Sequence, residues 1–76
     1  RRRAMPAIDV QIMEGVFSDE DKRRMIERIT EAFGEVAGRT LQDYTTVRIR
    51  EVPSGSWGYA GRPITTEDAR AWRAKG

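Results

Sequence analysis

Neither cysteine nor histidine occurs among the 76 residues of this chain. Their absence excludes disulfides, thiolate chemistry, imidazole acid–base catalysis and the usual zinc ligand sets. Lysine is scarce as well: Lys22 and Lys75 are the only two, so twelve of the fourteen cations are arginine, and the net charge is only +2. An arginine-heavy surface favours planar, bidentate capture of carboxylate or phosphate. No apolar run approaches the ~20 residues that cross a bilayer, and no signal-peptide core is present. A soluble, cytoplasmic protein with no membrane partner is therefore expected. A chain this short hides only about 60% of the surface its unfolded form exposes. With disulfides and zinc excluded, association into an oligomer is the expected staple.

What is present is a clear alternation of patterns. Residues 7–13 place Ile8, Val10 and Ile12 on one side and Asp9, Gln11 and Met13 on the other, the period of a half-buried strand opened by Pro6. Glu14 and Gly15 break it. Ser18 followed by Asp21 reads as a capping box, and Met25, Ile26, Ile29, Ala32, Phe33 and Val36 then form one helical stripe that Gly38 ends. Glu20 and Arg24 stand at the spacing of a helix-surface ion pair. A second strand is predicted from about Tyr44 to Val52, with Val47 and Ile49 on one face and Thr46, Arg48 and Arg50 on the other. Two strands joined by a helix make a right-handed, parallel β-α-β unit, whose helix covers the Val47 and Ile49 face. Residues 53–56 read as a turn, 57–61 as a loop or short hairpin, and 65–72 as a final helix capped by Thr65 or Thr66. The fold class is α+β. Residues 1–5 are an N-terminal extension and residues 6–76 a single domain. One helix cannot cover both sheet faces, so identical subunits are expected over the face of Arg48.

Met5-Pro6 before an alternating strand, Glu14-Gly15, the Ser18-Asp19-Glu20 helix start, Val47-Arg48-Ile49, and Gly55-Ser56-Trp57-Gly58 occur in that order. Together they resemble the 4-oxalocrotonate tautomerase family over residues 5–62. The resemblance implies a β-α-β subunit that dimerises and assembles into a hexamer, with a proline at the chain terminus acting on small enol or keto acids. It implies no metal and no organic cofactor. Carried over, Pro6 is the general base, Arg48 binds the substrate carboxylate or polarises its carbonyl, and Trp57 stands where the family has a phenylalanine on the pocket wall. A terminal amine titrates near ~8 in water, and burial or nearby cations bring it toward the operating pH.

Two departures bear on this. The family places a second arginine after the Glu-Gly pair to grip the distal carboxylate of a diacid, whereas here Val16 stands there and Phe17 is inserted. A monoacid, or an apolar or aromatic enol, is favoured over a diacid; Arg39, Arg50 or Arg62 of another subunit could replace the lost charge. Residues 1–5 also precede Pro6, and an amide nitrogen has no useful basicity. If translation starts at Met5, removal of that methionine exposes the amine.

Other residues have blander readings. Arg48 could pair with Glu51 or Asp43 at a subunit contact, and Trp57 could hold an interface. Glu14 could assist as an acid, Tyr44 fits cross-strand packing, and Trp72 fits an interface anchor. The run of three arginines at the start reads as a solvated tail, and no nucleic-acid partner is expected. Two functions follow: a proline-based tautomerase acting on a small carboxylic acid, or a non-catalytic subunit of a tautomerase-fold oligomer, homo- or hetero-hexameric, in which residues 1–5 block Pro6.

Overall fold

A computed structural model describes residues 5–76; of the predicted N-terminal extension, residues 1–4 lie outside the described residues. In chain order the elements are β1 (Ala7–Met13), α1 (Asp19–Ala37), α2 (Arg39–Tyr44), β2 (Thr46–Val52), β3 (Trp57–Tyr59), β4 (Arg62–Ile64) and α3 (Thr66–Ala74). β1 and β2 pair in parallel from Ala7 opposite Thr46 to Met13 opposite Val52. The β-α-β unit, the long helix and the C-terminal hairpin and helix are thus as expected.

Local chemistry accounts for the element ends. Ser18 accepts from Asp21 N–H at 3.0 Å while the Asp21 carboxylate accepts from Ser18 N–H at 3.0 Å. Thr65 and Asp68 repeat this reciprocal cap at α3, both bonds 3.1 Å, which settles the cap on Thr65. The hairpin turns at Ala60 (φ 53°) and Gly61 (φ 80°), two successive positive φ values that match a type I′ turn.

α1 lies over the Val47 and Ile49 face. Glu51 shares that face by strand alternation, and Lys22 of α1 bridges to it at 2.8 Å. The same bond holds the Lys22 ammonium above its ordinary pKa. The opposite face of the sheet, with Asp9, Gln11, Thr46, Arg48 and Arg50, is exposed. Only at its C-terminal end is this face covered, where Met13 is buried together with Ile64 of the hairpin. These two are the only buried large apolar side chains among the described residues. The radius of gyration is 15.2 Å, against about 11 Å for a compact domain of this length.

Two expectations are corrected. Tyr44 does not open the second strand: it ends α2, which residues 39–44 form ahead of β2. α2 docks where Gly34, buried in α1, leaves room for the Gln42 side chain. On the surface of α1, Glu20 pairs with Arg23 and not with Arg24, because Arg23 also reaches Glu27 at 2.7 Å and so joins two carboxylates on one face. Among the described residues, no helix is long and apolar enough to cross a membrane.

Candidate active site

The predicted site residues fall into two groups at opposite ends of β1. At its start, the Pro6 carbonyl accepts from Thr46 N–H at 2.9 Å and from Thr46 Oγ1 at 3.3 Å. Thr46 follows directly on α2 and the cap residue Thr45, so α2 sets where β2 begins to hold Pro6. The Pro6 nitrogen is bonded to Met5 in this chain. Arg48 projects from the exposed face, its Nε 3.6 Å from Asp9 Oδ1, and both side chains are more than half exposed. The two carboxylates expected to pair with Arg48 are engaged elsewhere, Glu51 by Lys22 and Asp43 by Arg39 at 3.1 Å. From the register, Arg48 lies three residues along the sheet from Pro6, about 10 Å.

The second group forms a cleft of about 540 Å³ beyond the other end of β1, lined chiefly by apolar side chains. Val16 and Trp57, 41 residues apart in sequence, both line it, together with Phe17, Ile64 and Trp72. The sheet spacing puts this end of β1 about 23 Å from Pro6. One chain therefore brings Trp57 to the same cleft as Val16, but brings neither to its own Pro6.

The β1–α1 loop on the rim of the cleft is held from α3. Thr66 Oγ1 donates to the carbonyl of Glu14 at 2.8 Å, Arg70 Nε to that of Gly15 at 2.8 Å, and an Arg73 terminal nitrogen to that of Val16 at 3.0 Å. These donors recur at helical spacing, one side of α3 reading three successive carbonyls. Gly15 (φ 82°) suits the contact, since a Cβ there would stand 3.0 Å from Thr66 Cγ2. Arg73 also donates to Asp21 at 3.0 Å, and its guanidinium lies 4.8 Å from the centre of the Phe17 ring. The Arg73 hydrogen bond, helped by that from Ser18 N–H, holds the Asp21 carboxyl down at about 2, from an ordinary 3.8.

Beside Val16 the chain's own cation is Arg73, a residue assigned no such role from sequence, while Arg39 pairs with Asp43 within the chain. The spacing of Thr66, Arg70 and Arg73 was legible, but their acceptors are main-chain carbonyls, which carry no sequence signal. Glu14 engages the fold through its backbone, its N–H donating to Val52 carbonyl at 2.9 Å. Among the described residues no cluster of three metal-ligating side chains occurs.

Comparisons with known proteins bear on the family and the fold. Residues 6–67 match the family described as "Tautomerase enzyme". A probable tautomerase of Halalkalibacterium halodurans is 35% identical over 63 residues, 83% of this chain and all of that protein. The 2-hydroxymuconate tautomerase of Comamonas testosteroni is 37% identical over 57 residues, 75% of this chain and 87% of that one. Among solved structures, one from work on the 4-oxalocrotonate tautomerase isozymes of Methylibium petroleiphilum superposes with a TM-score of 0.69 at 30% identity, covering 84% of this chain and 97% of the other.

Proposed function

The chain belongs to the tautomerase family, and from that premise we propose that it catalyses keto–enol proton transfer on a small unsaturated or keto acid, with Pro6 as general base once that residue is the free terminus. The secondary amine takes the proton of the enol hydroxyl as the carbonyl forms and returns it to carbon. The enol is consumed and the ketone formed with no net change in protons. Arg48 faces the carboxylate or the oxygen on which enolate charge develops, where a fixed cation lowers the barrier.

One observation carries this reading: Val16 and Trp57 share a cleft at the end of β1 that lies about 23 Å from the Pro6 of the same chain, out of its reach. A working site then takes Pro6 and Arg48 from one copy and the cleft from another. The open Arg48 face and the two-residue buried core argue for the same association. A homo- or hetero-hexamer is the assembly expected from the family likeness. The small carboxylic acid is placed as a monoacid because Val16 carries no charge.

A second reading rests on the Met5–Pro6 amide: a chain that keeps Met5 has no basic proline nitrogen and acts as a partner subunit of the oligomer. Intact mass of the protein expressed without a tag from its natural upstream sequence separates the two. With a Pro6 terminus, Pro6→Ala is expected to lower enol ketonisation ~10²–10⁴-fold, and Arg48→Ala ~10²–10³-fold, with circular dichroism unchanged. Activity that survives Pro6→Ala undiminished, or a mature protein that retains Met5, would end the proline mechanism.

A further inference from the structure

The family match ends at residue 67, the second residue of α3, yet the rest of α3 completes the cleft. Ala69, Trp72, Arg73 and Gly76 line it, an i, i+3, i+4, i+7 stripe on one side of the helix and its terminus. The adjoining stripe, Thr66, Arg70 and Arg73, is the one bonded to the loop carbonyls, so the wall is fixed in place by the rim it helps to form. About 540 Å³ is the size of a small-molecule site.

The electrostatics of the cleft decide what it accepts. Among the described residues that line it, Arg73 has the one charged side chain. That guanidinium already bonds the Val16 carbonyl and the Asp21 carboxylate and stacks on Phe17. A second substrate carboxylate would have to compete with Asp21 for it and would meet the Asp21 charge. Trp57 and Trp72, by contrast, offer large apolar ring surfaces, and Trp72 is 52% exposed. Resting on the proton-transfer reading above, we propose that Trp72 on α3 is a specificity-determining residue that makes this cleft a subsite for an uncharged aromatic group at the end of the substrate remote from its carboxylate. The preferred substrate is then an aryl-substituted enol monoacid, not a dienol diacid.

The test uses the assembled protein and ligands that cannot tautomerise, so that it does not depend on turnover. Calorimetric titration with hydrocinnamate, an aryl monoacid, and with adipate, an aliphatic diacid, is expected to show hydrocinnamate binding at least tenfold tighter. Trp72→Ala is expected to remove most of that preference, about tenfold from one lost aromatic contact, and Trp72→Phe to keep it. Adipate binding as tightly as hydrocinnamate, or a preference unchanged in Trp72→Ala, would overturn the inference. If Trp72→Ala does not fold, Trp72→Leu, which keeps apolar volume but removes the ring, takes its place: loss of the preference there supports the inference, and an unchanged preference overturns it. Binding in the expected order by a protein with a free Pro6 that turns over no enol acid would refute the proton-transfer reading and leave the subsite standing.

Discussion

Gly34→Ala adds one methyl group to α1, and its effect can be worked from the contacts. A Cβ at position 34 would stand 1.9 Å from Gln42 Oε1, 2.5 Å from its Cδ and 2.7 Å from its Cβ. Turning the Gln42 side chain relieves the first two overlaps. The third is fixed to the backbone of α2, and because carbons rest ~3.5–4.0 Å apart, α2 must retreat by about 1 Å. Overpacking of this kind costs ~1–3 kcal/mol. Replacing glycine by alanine inside a helix returns ~1 kcal/mol, so the expected net loss is about 1 kcal/mol, and more if α2 undocks. The strain does not stay local, since α2 runs into Thr46, whose N–H and hydroxyl hold the Pro6 carbonyl. Urea denaturation followed by circular dichroism measures the loss, at one fixed protein concentration because subunit association would shift the midpoint. Gly34→Ala combined with Gln42→Ala removes Oε1 and Cδ but keeps the Cβ, and should recover only part of it. A single variant as stable as wild type, or complete recovery in the double variant, would refute the claim that the α2 backbone sets the limit.

Two further outcomes follow from the caps and turns. The Asp21 carboxyl is held near 2 in the folded state, below its ordinary 3.8, so the unfolded chain takes up this proton first as pH falls. The stabilisation is fully present above about pH 4 and is lost as pH falls through about 2. Urea midpoints of wild type and Asp21→Asn should therefore differ at neutral pH and converge in acid, whereas a constant gap would assign the loss to packing. At the hairpin, Ala60 is the only non-glycine residue with positive φ among the described residues. Ala60→Asn should stabilise by about 0.5–1 kcal/mol, since asparagine tolerates the left-handed region and Asn-Gly suits a type I′ turn. An unchanged or lower melting temperature would count against that turn assignment.

The sequence by itself determined what depends on neighbours along the chain. Alternation in residues 7–13 and the stripe from Met25 to Val36 specify strand and helix because side-chain direction is periodic in each. Ser18 with Asp21 marks the start of α1, and Thr65 or Thr66 before Asp68 that of α3, because a capping bond closes over three residues; the structure chose Thr65. The parallel pairing and the outward side of Arg48 follow from that much. Only tertiary structure decided the rest. α2 has too few residues for a stripe of its own and owes its place to the gap at Gly34. Arg73 was invisible as a site residue because it binds a backbone carbonyl and a carboxylate 52 positions away. The separation of Pro6 from Trp57 by the whole length of β1 is likewise a matter of three dimensions: a sequence orders residues along a line, but distance across a fold is set by which ends of the sheet they occupy.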